Sequence, residues 1–335
     1  MRPGRSALLL AVVVALLAGA CSGDSEVITV YSGRTENLIG PILDDFATET
    51  GIDVEVRYGD SADLALLISE EGDRSPADVF ISQSPGALGF LAGEGRLATI
   101  DDATLALVDP EYRNNAGLWV GMSGRVRVLV YNREMVDESA LPTSVFDLTD
   151  ERFRGLLAVA PTNGSFQDFI TAMRELRGDE VAAEWLAGLV ANDARTYANN
   201  TAIVQAVGRG DVAMGLVNHY YNHRALAEDP SLPSVNYFFP DGDLGSLLIV
   251  TAIGVLATGD DIESADRLVQ FMLGEEAQRF FSEETFEYPL AAGVAALDEL
   301  PPLRGIDVAT FDLDRLGGGL ERTKQLIDES GLESS

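Results

Sequence analysis

The 335-residue sequence predicts an α/β protein of two doubly wound lobes, joined by crossover strands with a cleft between them. Three features predict it. Residues 26–95 run strand, helix, strand, helix, strand, helix, the order of a parallel sheet covered by helices. Residues 124–218 hold a second set of strands and helices. Two long apolar strands, near 124–131 and 247–256, are the natural crossovers between the sets.

The elements follow from periodicity. "EVITVY" (26–31) alternates as a strand, and "ENLIGPILDDFATET" (36–50) places Leu38, Ile39, Ile42, Leu43 and Phe46 at helical spacing. Pro41 is tolerated early in that helix, and Gly51 stops it. "IDVEVRY" (52–58) is the second strand, and "SADLALLISEEG" (61–72) a helix between a Ser cap and a Gly stop. "ADVFIS" (77–82) is the third strand and "PGALGFLAGEG" (85–95) a short helix. "GRVRVLVYN" (124–132) is a long strand, 142–155 is turn-rich with a short helix, and "LLAVA" (156–160) is a strand. Helices follow at about 166–177 and 180–190, then at 201–210, where Asn199 or Asn200 can cap. "VAMGLVN" (212–218) and "LLIVTAIGVLAT" (247–258) are strands; helices near 261–274, 275–283 and 318–331 complete the chain.

The domain plan is then 27–123 for the first lobe, 124–248 for the second, 249–300 for a return to the first, and 301–331 for a C-terminal segment packing on the second. Residues 1–20 read as a signal peptide: Arg2 and Arg5 precede the apolar run 7–18, too short for the roughly 20 residues of a membrane span. "LAGAC" (17–21) resembles a bacterial lipoprotein cleavage site, although Ala18 stands where leucine is more usual. Cys21, the chain's single cysteine, is therefore expected to be lipidated, with 21–26 as a tether. One cysteine also leaves no internal disulfide. The membrane is met through the lipid anchor only.

A net charge of −31 excludes nucleic acid as a partner. Catalytic constellations are missing: there is no nucleophile elbow, no phosphate-binding Walker loop and no zincin helix, so the chain does not read as an enzyme.

In open α/β sheets, ligands sit at the carboxyl ends of strands. Four such loops stand out: "YSGRTE" (31–36), "SQS" (82–84), "PTNGSF" (161–166) and "NHYYNHR" (218–224). Asn163, Gly164 and Ser165 have the composition of an anion nest at a helix start, and Asn200 holds a comparable position. Arg34 and Arg125, at the edges of the cleft, offer a fixed positive charge to an anion or form plain surface ion pairs. Tyr220 and Tyr221 can both point into one cleft at a strand-to-helix turn, although on a helix they would diverge by about 100°. Two phenols there suit a hard, highly charged cation such as ferric ion; the other reading is packing in a core or stacking on an organic ligand. His219 and His223 lack a third His or Cys partner and read as bystanders.

These residues carry a resemblance. "ITVYSGR" with "FATETGIDVEV", "EEGDRSPADVF", "SGRVRVLVYN", "YANNTAIVQAVGRGD", "VNHYYN" and "EYPL", spread over about 26–331, are similar to the bacterial ferric-ion-binding proteins. These are extracytoplasmic solute-binding subunits of iron ABC importers, with a transferrin-like type-2 periplasmic-binding-protein fold. The resemblance implies Fe³⁺ on Tyr220 and Tyr221, and a synergistic anion, carbonate or phosphate, on Asn163, Gly164, Ser165, Arg125 and Asn200, with Arg34 near it. It implies a monomer that delivers iron to an ABC permease and its ATPase. The first lobe departs from the pattern. Thr35 and Gln83 stand where some members carry His and Glu ligands, and Phe166 where others have a tyrosine. Tyr31 and Glu36 are nearby donors. With only two protein ligands, binding should depend strongly on the anion. The alternative is a solute-binding protein for an organic anion such as a phosphonate, without metal.

Overall fold

The computed structural model describes residues 26–291, 293–306, 308–309 and 311–332; the expected signal peptide and Cys21 lie outside them. The first half follows the expected order: β1 (Val27–Ser32), α1 (Glu36–Thr50), β2 (Asp53–Tyr58), α2 (Ser61–Glu71), β3 (Val79–Ser82), α3 (Pro85–Gly93) and a short α4 (Asp102–Leu105). β1 pairs in parallel with both β2 and β3. In α1 the five periodic apolar residues are all buried, worth roughly 1.5–3 kcal/mol each. Pro41 sits inside α1 on its exposed face. Gly51 ends the helix at φ 74°, where its N–H meets the Ala47 carbonyl.

β4 (Val120–Asn132) starts four residues before the expected 124 and is buried along its whole length. The second half holds β5 (Leu157–Val159), α5 (Gly164–Arg177), α6 (Asp179–Ala191), β6 (Arg195–Thr196), α7 (Asn200–Arg209), β7 (Met214–Asn218), α8 (His219–Glu228) and β8 (Ser234–Tyr237). The expected short helix within 142–155 is two 3-10 turns, Val145–Thr149 and Glu151–Phe153. The chain returns through β9 (Leu248–Val255), α9 (Ile262–Met272), α10 (Glu275–Glu283), β10 (Tyr288–Pro289) and α11 (Leu320–Ser330). β6, β8 and β10 are short and were not legible as periodicity; each exists because a longer neighbour offers a free edge.

Among the described residues the main sheet path is β2-β1-β3-β9-β4-β7-β5-β6, with β8 and β10 both on β4. β4 is the handover. Residues from Val120 to Val126 pair antiparallel with β9, and Arg127 to Tyr131 with β7. At the junction the ladder changes partner. The Val126 N–H donates to His219 Nδ1 at 3.2 Å, and the Arg127 N–H to the Leu247 carbonyl at 3.0 Å.

The C-terminal segment touches both halves. A 3-10 turn, Leu313–Gly318, packs on α3 so tightly that a Cβ at Gly89 would lie 2.5 Å from the Gly317 Cα. α11 then packs on α5 and α6, with Thr171 Oγ1 and Thr323 Oγ1 at 2.7 Å and Arg322 donating to Asp179 at 2.9 Å.

Candidate functional site

α8 begins at His219, directly after the last residue of β7, with no intervening turn. Both tyrosines therefore stand in the first turn of a helix. Their long side chains still converge: the rings stack with centroids 4.1 Å apart and planes 28° from parallel. Tyr220 is buried beneath and Tyr221 is half-buried above it, lining a cleft of about 570 Å³. Burial pushes the Tyr220 pKa well above its ordinary value, and Tyr221 adds to this; Arg34 and Arg125 pull the other way. Tyr220 is thus a neutral phenol until a strong cation arrives.

The early helix start also decides the histidines. Four positions apart, they share one face, ring centroids 6.0 Å apart. His219 is fully buried at the β4 handover, its ring 4.8 Å from that of Tyr288, and burial holds its pKa down to about 3. His223 stacks on Phe286. Neither lines the cleft beside Tyr221.

Arg34 and Arg125 are not edge charges, as the sequence suggested. Each is only 1% exposed. The partner that makes this possible is Glu287, delivered from 253 residues away by the return segment. Arg34 Nη2 donates to Glu287 Oε2 at 3.0 Å, and Nη1 lies 3.0 Å from Oε1. Glu287 also accepts from Ser123 at 2.9 Å and Thr285 at 3.2 Å. Burial alone would lower the Arg34 pKa, but Glu287 holds it above its ordinary value. The Arg34 guanidinium sits 5.7 Å from the Tyr220 ring centroid. Arg125 donates to Thr251 and lies 4.0 Å from Glu287 Oε1; its Nη2 has no hydrogen-bond partner among the described residues. Burial, with Arg34 nearby, lowers its pKa.

Period-two alternation puts Arg127 on the same face of β4 as Arg125. Its guanidinium is 5.0 Å from the Phe169 centroid and 5.9 Å from that of Phe166, and Nη1 donates to the Ser165 carbonyl at 3.2 Å. Burial and then Arg125 lower its pKa to about 9. Asp168, also buried, is pushed up to about 6 by burial, against the Ser84 hydrogen bond and the two arginines. Three buried guanidiniums thus face two buried carboxylates, one of them easily protonated. This leaves a cationic floor under the phenols. Sequence reasoning missed Glu287, Arg127 and Asp168. Only "EYPL" hinted at Glu287, and two arginines two apart on an apolar strand were a legible anomaly.

The Asn163 loop is partly used by its own helix: Asn163 caps α5, its Oδ1 accepting from the Ser165 N–H at 3.1 Å and the Ser165 hydroxyl at 2.6 Å. Asn199, not Asn200, caps α7. Asn200 is therefore free to turn inward, with Nδ2 3.4 Å from Ser165 Oγ, where Asn218 Nδ2 also donates at 3.2 Å. The Oδ1 atoms of Asn200 and Asn218 are buried without a partner among the described residues. Gly164 faces the opposite wall; a Cβ there would lie 3.8 Å from Gln83 Oε1.

That opposite wall carries one acid, Asp60, exposed at the N-cap of α2. Thr35, Asn37 and Gln83 line the cleft across from Asn163, Asn199, Tyr221 and Arg224. Tyr31 is turned away, its hydroxyl held by Glu71 at 3.1 Å and Arg57 at 3.3 Å. Phe166 packs with Phe169 and Trp185. Among the described residues no group of three or more His, Cys, Asp or Glu is placed to hold a metal. A hard cation here would rest on the phenols, the Asp60 carboxylate of the facing wall and added ligands.

The chain matches the model of the bacterial extracellular solute-binding protein family over residues 74–312. It is 31% identical over 328 residues to the Fe(3+)-binding periplasmic protein of Serratia marcescens, covering 97% of this chain and 96% of that one. Iron-bound HitA from Pseudomonas aeruginosa is similar in structure, with TM-score 0.88 and 36% identity over 92% of this chain and 100% of that one. Trichodesmium IdiA (FutA), in complex with iron and citrate, has TM-score 0.78 and 30% identity over 91% and 99% of the two chains.

Proposed function

Because the chain belongs to the bacterial extracellular solute-binding protein family and has the type-2 periplasmic-binding-protein fold, we propose that it captures ferric ion, together with a synergistic anion, for import. The single observation that carries the reading is the stacked Tyr220–Tyr221 pair at the head of α8, over a floor of buried arginines. Ferric ion is a hard Lewis acid able to displace both phenolic protons. Two phenolates leave the ion one positive charge and open coordination positions. The cationic floor of Arg125 and the inward-facing Asn163, Ser165 and Asn200 then favour an anion, carbonate or phosphate, as the bridge. Arg34 acts from below Tyr220 through its pair with Glu287.

Thr35 and Gln83 give no strong ligand to iron and their wall offers only the Asp60 carboxylate, so affinity depends strongly on that anion. Residues 27–123 with 249–300 act as one lobe and 124–248 as the other, and β4 and β9 serve as the hinge on which they close. Cys21 carries a lipid that tethers the chain, as a monomer, to the outer face of the cell membrane. The closed form docks on an ABC permease driven by its ATPase. The chain is a binding protein and turns nothing over. Ligation releases protons, so affinity falls on acidification.

Ferric loading with carbonate or phosphate is expected to produce a visible phenolate-to-iron charge-transfer band, lost in Tyr221→Phe. Loading that yields neither a band nor a thermal shift with either anion refutes the reading.

A further inference from the structure

α3 has an unusual amino end. Its N-cap residue is Ser84, yet the Ser84 side chain makes no capping bond to its own helix, Pro85 occupies the first turn and no acidic residue follows there. Ser84 instead helps hold down the pKa of Asp168, which belongs to α5 in the other half. Asp168 is 3% exposed. Its Oδ1 lies so close to the chain that a Cβ at Gly86 would come within 2.7 Å of it. Oδ2 has no partner among the described residues, and the charged groups facing the carboxylate are Arg125 and Arg127 of β4, neither in an ion pair with it. One turn further along α3, Gly89 meets Gly317 backbone to backbone. The two halves thus touch along α3 without room for a methyl group.

The contact sits directly behind both walls of the cleft. Gln83, on the wall facing Tyr221, is the neighbour of Ser84. Ser165, on the anion side, is one turn before Asp168.

We propose that Asp168 is a positioning residue that fastens the second half to the amino end of α3 and sets the distance between the walls of the cleft. Its role is one of shape: the carboxylate packs directly against α3 at Gly86. This rests on the reading that the cleft closes on its ligand. The observations put Asp168 in contact with α3 but with no cleft-lining group, so it acts through Gln83 and Ser165 and not on the ion.

The test uses the mature chain with ferric ion and carbonate, titrated against a competing chelator, and small-angle scattering of the metal-free and loaded forms. Asp168→Ala should weaken ferric binding about tenfold, the scale of an ordinary coupling between parts of a protein, and speed release. The position of the charge-transfer band should not move, because the tyrosines are untouched. Asp168→Asn, which keeps the shape and an acceptor for Ser84, should recover most of the loss. Gly86→Ala acts from the opposite half and should weaken binding similarly, which keeps the test open if Asp168→Ala does not fold. Scattering should show both Asp168→Ala and Gly86→Ala more open than the parent. The proposal is overturned if both bind within twofold of the parent with unchanged scattering, or if they only melt earlier. A parent chain with no ferric band would sink the iron reading alone, since the scattering comparison without metal still reports on the fastening.

Discussion

Glu287 is the residue whose neutralisation should disturb the protein most per atom changed. The Glu287→Gln substitution is nearly isosteric. It removes the charge that meets Arg34 through two contacts of 3.0 Å, with Arg125 at 4.0 Å and hydroxyls from Ser123 and Thr285 on the same carboxylate. None of this is screened, because Arg34, Arg125 and Glu287 are all essentially buried. The glutamine oxygen can still accept from one donor, but its amide adds two N–H groups to a space already rich in them. Breaking a buried pair by removing one partner costs about 3–5 kcal/mol. With a urea m-value of about 3 kcal/mol/M, the upper end for small proteins, the unfolding midpoint should fall by about 1 M or more. The assay is equilibrium urea unfolding of the metal-free chain. Two companions sharpen it. Arg34→Met with Glu287→Gln should recover much of the loss, since the orphaned charge is gone. Added phosphate should stabilise Glu287→Gln more than the parent, because it supplies the missing negative charge. A loss below about 1 kcal/mol, or a double variant losing the sum of the singles, would refute a coupled buried pair.

Two further predictions concern protons and ligands. Burial holds His219 down to about 3, so below pH 6.5 the unfolded chain takes up a proton that the folded chain refuses, and stability should fall on acidification from there to about pH 3. Asp168, pushed up to about 6, has the opposite sign: between pH 3.8 and 6 the folded chain keeps a proton that the unfolded chain loses, which offsets the fall by up to about 3 kcal/mol. Melting temperatures from pH 4 to 7 should therefore drop more steeply in Asp168→Asn than in the parent, and parallel profiles would contradict this. Thr35→His with Gln83→Glu places further strong donors on the wall opposite Tyr221, and should reduce the dependence of ferric affinity on carbonate. A dependence unchanged in titrations with and without carbonate would mean those positions do not reach the ion.

Much of the architecture was legible because its causes are local. The stripe from Leu38 to Phe46, the alternation of "EVITVY" and the glycine stop at Gly51 each report a helix or strand through their own spacing. The tyrosine pair was legible because two adjacent phenols after an apolar strand are rare chemistry. Capping was less so: Asn199 and Asn200 are equivalent as letters, and only the extended backbone at Asn199 makes it the cap and frees its neighbour. The Tyr220 and Tyr221 side chains were expected to need a turn to converge; the first turn of a helix suffices.

The burial of charge was not legible. An arginine in a loop, such as Arg34 in "YSGRTE", reads as solvated because burying it alone is costly. The cost is offset only by Glu287, and nothing within 250 residues of Arg34 announces that partner. Likewise Asp168 looks like the polar face of α5 until α3 from the other half closes over it. Sequence alone determined the longer elements, their order and the two phenols, because each depends on near neighbours and periodicity. Tertiary structure decided which charges share the dry space beneath them, because electrostatic pairing in a low dielectric is set by distance through space and not by distance along the chain.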